Sequence, residues 1–469
     1  MDPASNPPRK SSSRKASANC RSAIEVRSRL NSTGEGLVLG TMTDGSARSF
    51  GFSGRIERPE SGDGQILRHI EPTHGIVFVR TGGGKFLSVV APNVFSHRGQ
   101  LIILDPKGEC AQVTARYRRS CGEVAIIDPF GILGPKTDSL NPLDALFLPG
   151  MNVEDGSESL ACELSAGHES AKDPFWHYSS TTLLSALIAS AAQDPQVSKR
   201  HLGTVVDALS ADDVVYQLAV ALDNKQIQGD FAQRRIAEFL QVPDGTSAAT
   251  RGCILVSAQQ YIHCLQASRI RRCIEHSSFS LLQLLEGENP ITVYFVFPVS
   301  KIRSHRGLLR LFLSTIMTVL SSRRAMPREE TLVIIDEAAN LGRMDQLPMM
   351  HSFLRGAGVS LLTLWQSLGQ ISDLYPTEWR TIIENCGVIQ TFSLHPTAVD
   401  PIAALLGVSP DVLRSLSSIE QLVVRPDKPT EILGRVDYRT HPAYRKLADP
   451  NPRYINRTDN RATSRTAPR

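Results

Sequence analysis

The chain has 469 residues, of which 41% are hydrophobic and 21% charged, a composition that suggests two to four globular domains with packed cores. No uncharged apolar run is long enough to cross a bilayer and no secretory signal is found, which argues against an integral membrane protein and a secreted one. Eight cysteines without a Cys-x-x-Cys pair are interpreted as cytosolic thiols, so neither a disulfide scaffold nor a structural zinc site is expected.

The net charge of +4 is unevenly distributed along the sequence. Residues 1–30 contain seven Lys/Arg against two acidic residues, residues 437–469 contain eight against three, and the chain between them is mildly acidic. We predict a basic, largely disordered segment over 1–60 and a basic tail over 441–469. Such tails are often only solvated, and contact with nucleic acid or an anionic membrane face is the alternative.

Short, fully apolar runs that alternate with helical segments begin near residue 74, which is typical of an α/β fold with a mostly parallel sheet covered on both faces. Between about 150 and 285 the strand pattern stops and helical periodicity predominates, which predicts an all-α insertion. We therefore predict a nucleotide-binding domain in two parts, 61–150 and 286–440, interrupted by an all-α domain over 151–285. The predicted strands cover residues 75–79, 101–104, 124–127, 291–297, 331–335, 359–364 and 388–392.

A glycine cluster between the first of these strands and a helix has the context of a phosphate-binding loop. Successive amides freed by glycine can surround phosphate oxygens, the helix N-terminus adds its positive end, and Lys85 supplies a mobile charge. A flexible turn is the alternative interpretation. The pattern departs from G-x-x-x-x-G-K-[ST] because Phe86 stands at the hydroxyl position and cannot bind Mg²⁺. The candidate nucleotide-binding residues are Thr81, Gly82, Gly83, Gly84, Lys85 and Phe86.

Two carboxylates follow the apolar run 331–335 directly, as in a Walker B strand. Asp336 is the candidate ligand of Mg²⁺ or of its water, and Glu337 is the candidate base that polarises the attacking water. An ordinary strand end is the alternative. Because the glycine loop and the acidic strand end occur in the expected order on one α/β scaffold, together they favour a nucleotide site.

Several separated motifs resemble the VirD4/TraG family of type IV secretion coupling proteins, conjugative DNA-transfer ATPases related to the FtsK/HerA motors. The resemblance extends from about residue 74 to 444. It includes Asp-Pro-Lys-Gly-Glu at 105–109, and Ile-Asp-Glu-Ala-Ala-Asn-Leu-Gly at 335–342. The other matching segments are 81–93, 127–130, 173–176 and 354–367.

The resemblance implies a RecA-like P-loop NTPase domain that uses ATP and Mg²⁺ in a ring, with a homo-hexamer expected. It implies that Gln366 senses the γ-phosphate and that Arg355 is an arginine finger reaching the neighbouring subunit's site. The implied partners are DNA, expected to be single-stranded and with its relaxase, and the components of the secretion channel.

The chain lacks the two N-terminal transmembrane helices that the family usually has. We therefore expect a cytoplasmic protein, peripheral at the inner face of the bacterial plasma membrane. Two alternatives remain open at this point. One is a nucleotide-binding adaptor with little turnover, which the bulky Phe86 would favour, and the other is a cytoplasmic DNA pump of the FtsK/HerA type.

Overall fold

A single eleven-stranded sheet organises the protein in the computed structural model, which describes residues 36–42, 64–168, 174–241 and 247–452. All seven predicted strands are confirmed as β3 to β9, within one or two residues at their ends. The strands are β1 (Leu37–Thr41), β2 (Ile66–His69), β3 (His74–Phe78), β4 (Leu101–Asp105), β5 (Glu123–Ile127), β6 (Ile291–Val296), β7 (Thr331–Ile335), β8 (Val359–Trp365), β9 (Cys386–Thr391), β10 (Glu420–Arg425) and β11 (Lys428–Gly434).

The strand order is β2-β1-β11-β10-β9-β3-β8-β7-β4-β6-β5. From β9 to β5 every neighbouring pair is parallel, and from β9 to β2 every pair is antiparallel. Strand β8 therefore separates β3, which leads into the glycine loop, from β7, which ends at the two carboxylates. Since parallel strands end at one edge, this order brings the loop, the carboxylates and the end of β8 together.

Helices cover both faces of the parallel part, and between β5 and β6 the described residues form helices and no strand, as the sequence predicts. The helices before β6 are α1 (Ala91–Ser96, after a π-helical turn Phe86–Val90), α2 (Glu109–Cys121), α3 (Val153–Ser165), α4 (Pro174–Ala192), α5 (Leu202–Leu209), α6 (Val214–Asp223), α7 (Asp230–Leu240), α8 (Ser247–Ile262), α9 (Ser268–Ile274) and α10 (Leu281–Glu286). The later ones are α11 (Val299–Ser321), α12 (Gln346–Phe353), α13 (Leu368–Leu374), α14 (Trp379–Glu384), α15 (Pro396–Leu406) and α16 (Pro410–Ser415).

The antiparallel edge of the sheet is the main feature that the sequence analysis does not predict. Strand β1 lies inside the segment 1–60, so the prediction of a largely disordered segment does not hold for these five residues. Polar side chains attach it to the core: Asn93 accepts a hydrogen bond from the amide of Val38 at 2.9 Å. The side-chain amides of Gln390 and Gln421 donate to backbone carbonyls of the same strand. Within 1–60 the described residues are 36–42, and the others lie outside the described part of the chain.

The packed structure also extends past residue 441, where the sequence analysis begins the basic tail. The ring of Tyr444 is buried and stacks on Phe95 with centroids 6.0 Å apart. The side chain of Asn451 donates to a carboxylate oxygen of Glu109 at 2.6 Å. The prediction of a tail over 441–469 is therefore wrong for 441–452, because aromatic packing against the helix after the glycine loop holds this stretch. Within the described part of the chain, no helix combines the length and apolar character needed to cross a bilayer.

One structural histidine gives the fold a defined response to acid. Burial and the charge of Arg118 lower the pKa of His97 to about 4. Below pH about 6.5 this imidazole therefore binds a proton in the unfolded chain but stays unprotonated in the folded chain, and the free energy of unfolding falls as the pH is lowered. Between pH 7.5 and pH 5 we expect the His97→Gln protein to lose about 2 kcal/mol less free energy of unfolding than the wild type. The glutamine side chain can donate to the same carbonyls, those of Gln100 and Glu330.

The measurement is urea unfolding of both proteins at these two pH values. His74 and His351 also have lowered pKa values, so the variant keeps part of the pH dependence. An equal loss of stability in the two proteins would show that His97 does not contribute.

Candidate active site

The glycine loop has the backbone geometry that a phosphate-binding loop requires. Gly82 and Gly84 have φ of 75° and 88°, in the left-handed region that favours glycine. Gly83 donates to the carbonyl of Arg80 at 3.0 Å, and a Cβ atom at this position would lie 2.6 Å from a methyl group of Val79. The loop then enters the π-helical turn, whose first amides have no acceptor within the helix and lie where an anion can bind.

The side chain of Phe86 does not line this anion-binding loop. It is buried, and its ring packs edge-on against Tyr438 with centroids 5.6 Å apart. The contact belongs to the aromatic cluster between the loop helix and the C-terminal segment. Phe86 is one of the six candidate nucleotide-binding residues, and only its backbone amide is available to contact a ligand.

Lys85 joins the glycine loop to the acidic end of β7. Its Nζ atom lies 2.7 Å from Oδ1 of Asp336 and 2.5 Å from Oε1 of Glu337, and all three side chains are buried. The backbone of Glu337 has φ of 60°, a left-handed conformation that non-glycine residues rarely adopt and that concentrates at functional sites. The separate sequence predictions for Lys85, Asp336 and Glu337 thus refer to one hydrogen-bonded group.

The two carboxylates have opposite pKa shifts. Burial raises the pKa of Asp336, and the adjacent Lys85 ammonium opposes this effect only in part. Burial would also raise the pKa of Glu337, but the charge and hydrogen bond of Lys85, with the hydrogen bond from Gln366, outweigh it and lower that pKa. Glu337 is therefore ionised at neutral pH, as a general base must be.

Gln366 and Arg355 lie at opposite ends of β8. The side-chain amide of Gln366, at the carboxyl end, donates to Oε2 of Glu337 at 2.7 Å, so this residue joins the group of Lys85. Arg355 precedes the strand, is exposed, and adds to burial in lowering the pKa of His74 to about 4. Because His74 begins β3 and the glycine loop follows its end, Arg355 is separated from its own loop by a strand length of roughly 16 Å.

Arg435, directly after β11, is a site residue that the sequence analysis missed. Its guanidinium donates to the carbonyl of Gly83 at 2.7 Å and to the hydroxyl of Ser88 at 3.0 Å. It also donates to the carbonyl of Ser418 at 2.8 Å and covers the ring of Phe392 at 4.1 Å. One side chain thus ties the glycine loop to the C-terminal hairpin.

We expect Arg435→Gln to weaken binding of a non-hydrolysable ATP analogue about tenfold, because the loop loses a charged anchor worth on the order of 1–2 kcal/mol. Arg435→Lys keeps the charge but not the fork of donors, and should recover only part of the affinity. Isothermal titration calorimetry measures this, with the exposed Arg439→Gln as the matched control. Unchanged affinity in Arg435→Gln would contradict the assignment.

The site suits a nucleotide–Mg²⁺ complex better than a metal ion alone. Among the described residues, no group of three or more His, Cys, Asp or Glu side chains could hold a metal ion. Mg²⁺ usually keeps several waters and binds through one or two carboxylates together with substrate phosphates. The carboxylate of Asp336, 2.7 Å from Nζ of Lys85 beside the glycine loop, fits that arrangement.

The sheet order, the glycine loop and the Lys85–carboxylate group give the protein the fold of a RecA-like P-loop NTPase. A family model described as "Type IV secretory system Conjugative DNA transfer" matches residues 27–409. The protein therefore belongs to this conjugative DNA-transfer family, as the sequence motifs predicted.

Two curated relatives are similar over about two thirds of the chain. The conjugal transfer protein TraG of Agrobacterium fabrum is 26% identical over 310 residues, which are 65% of this chain and 45% of that protein. The type IV secretion system-coupling protein VirD4 of Bartonella quintana is 23% identical over 329 residues, which are 68% and 50%. The chain thus spans about half the length of these relatives.

The fold is shared with a solved coupling protein. The plasmid coupling protein TrwB, in complex with ADP and Mg²⁺, superposes with a TM-score of 0.62 at 15% identity. The superposition covers 87% of this chain and 97% of that one. At this identity the likeness shows the RecA-like fold with its helical insertion, and no more.

Proposed function

We propose that the protein binds ATP with Mg²⁺ and uses its hydrolysis to drive conjugative transfer of DNA to a type IV secretion channel. The observation that carries the proposal is the buried group of Lys85, Asp336, Glu337 and Gln366 beside the glycine loop. Membership of the conjugative DNA-transfer family supports the DNA part. The nucleotide and Mg²⁺ in the solved complex of TrwB support the cofactors.

Each residue of the group has a role in this proposal. Lys85 and the loop amides hold the phosphates, so Lys85 exchanges part of its contact with the carboxylates for the nucleotide. Asp336 holds Mg²⁺ directly or through water, and the bound ion neutralises charge on the phosphates. Glu337 accepts the proton of the attacking water. Gln366, which is hydrogen-bonded to Glu337, senses the γ-phosphate.

The exposed Arg355 is proposed to act in a neighbouring copy of the chain. A residue that lies about one strand length from its own glycine loop can reach a nucleotide only across an interface. We propose a homo-hexamer in which Arg355 of one subunit stabilises charge on the phosphates of the next. Single-stranded DNA with its relaxase and the channel components at the inner face of the plasma membrane are the proposed partners.

A nucleotide-binding adaptor with little turnover is the second candidate, and Phe86 is the observation that favours it. The ring of Phe86 packs on Tyr438, so the position where the motif usually has Ser or Thr offers no hydroxyl to Mg²⁺. Among the proposed site residues only Asp336 would then bind the metal, with water and the nucleotide phosphates as the other ligands. A DNA pump of the FtsK/HerA type has the same site chemistry and remains a third candidate.

The test is ATP turnover with and without single-stranded DNA. The motor requires DNA-stimulated turnover that is lost in Lys85→Ala and kept in the matched surface variant Lys446→Ala. Nucleotide binding without turnover favours the adaptor. Turnover that no mating assay links to conjugation favours the pump.

A further inference from the structure

A second candidate site lies where the helical insertion meets α11. An open cavity of about 770 Å³ is lined there by the ends of α3, α5 and α8 and by the first half of α11. Its size is within the range of small-ligand pockets, and none of the proposed nucleotide-site residues lines it. We call it the arginine cavity.

The lining of the arginine cavity is suited to an anion. Arg303, Arg306 and Arg310 line the cavity and no Asp or Glu does. Glu163, an acidic group that interacts with Arg310, lies outside the lining. The spacing of three and four residues spreads the guanidinium groups over about 10 Å of helix. Side-chain amides of Gln259, Gln260 and Gln266 and the buried Tyr261 also belong to the lining. Such a concentration of cations is unusual in a chain whose central part is mildly acidic.

The same arginines touch the segment that follows the catalytic carboxylates. A Cβ atom on Gly342 would lie 2.7 Å from a guanidinium nitrogen of Arg306, so this glycine allows the arginine to pack on the backbone. Arg310 donates to the carbonyl of Arg343 at 3.2 Å. The backbone between these contacts and Glu337 is a single short turn, Ala338–Leu341.

Helix α11 is also interrupted beside the cavity. His305 departs from helical geometry, with φ of −125° and ψ of 25°, between Arg303 and Arg306. A break at this point lets the two parts of the helix tilt relative to each other. A ligand that draws the arginines together would therefore act on the Walker B segment through direct contacts.

We propose that the arginine cavity binds the phosphate groups of single-stranded DNA and passes its occupancy to Glu337 through Arg306 and Arg310. Guanidinium forks match the geometry of phosphate oxygens, and such backbone contacts do not depend on the base sequence. The proposal rests on the proposed function, which supplies the DNA, and it adds the place of contact and the route of stimulation.

The experiment uses the full chain and a fluorescent oligothymidine, with binding followed by anisotropy over a range of salt concentrations. Arg303→Gln/Arg306→Gln should bind at least tenfold more weakly and flatten the dependence of log K on log[salt] by about 1.4, because about two phosphate contacts are lost. DNA stimulation of ATP turnover should be lost as well. Arg324→Gln/Arg328→Gln removes the same charge from exposed positions outside the cavity and should bind as the wild type does.

Two further measurements keep the outcomes distinct. Arg303 is exposed, so Arg303→Glu alone tests the cavity without risk to the core and should weaken binding more than Arg324→Glu. If the cavity and control variants bind DNA with equal affinity and equal salt slope, the proposal is overturned. DNA binding and ATP turnover by the wild-type protein would in that case leave the proposed function intact. Loss of binding to an acidic peptide, with DNA binding kept, would assign the cavity to a protein partner and equally overturn it. Failure of the proposed function itself would appear as wild-type protein without ATP turnover.

Discussion

Glu337→Gln is expected to reduce ATP turnover by about 10²–10⁴-fold, the contribution typical of a positioned general base. The carboxylate is hydrogen-bonded by both Lys85 and Gln366, which lower its pKa and keep it ionised. Glutamine has nearly the same shape and can still accept a hydrogen bond, so the site should keep its geometry. Affinity for a non-hydrolysable ATP analogue should therefore change by less than about threefold.

Steady-state turnover and calorimetric titration of the same preparations measure the two quantities. The matched control is Glu384→Gln. This glutamate is exposed and precedes β9, at the amino ends of the parallel strands, and its substitution should leave turnover and nucleotide affinity unchanged. A reduction of turnover by less than tenfold would mean that another group activates the water. A parallel loss of nucleotide affinity would mean that Glu337 holds the site together and is not its base.

The sequence predicted the parallel half of the sheet because its strands are buried on both faces. A strand such as β7 is then an unbroken apolar run, and its end at Asp336 stands out. The edge hairpin β10–β11 carries Glu420, Arg425 and Lys428 at its ends and gives a weaker signal. The Pro-Asp pair between its strands is the turn signal that the sequence offers for this hairpin.

The contacts of Arg435 and the arginine cavity could not be predicted from sequence, because both depend on residues or elements that are distant along the chain. Arg435 is 352 positions from the carbonyl of Gly83 that it contacts, and no short motif links them. Lys85 and Asp336 are also far apart, but each lies in a motif whose order predicts the meeting. The arginine cavity depends on how the helical insertion packs against α11, which periodicity along a single helix does not report.

Mixing two inactive variants should restore activity if Arg355 acts across a subunit interface. Arg355→Ala alone is expected to lose about 10³-fold in turnover, the low end for an arginine finger, and Lys85→Ala should lose all measurable turnover. In a mixed ring, an Arg355→Ala subunit keeps Lys85 and can receive Arg355 from a Lys85→Ala neighbour. Random mixing in equal amounts completes about a quarter of the interfaces, so about that share of wild-type turnover should return.

The location of Arg355 makes this test specific. The residue is exposed near His74 at the start of β3, while the glycine loop follows the end of that strand, a strand length of roughly 16 Å away. Arg380→Ala, an exposed arginine at the start of α14, is the matched control and should retain turnover without mixing. Full turnover by Arg355→Ala at high protein concentration would remove the finger assignment. An inactive mixture, with ring assembly verified by sedimentation, would show that Arg355 supports the fold or the interface and does not complete a neighbouring site.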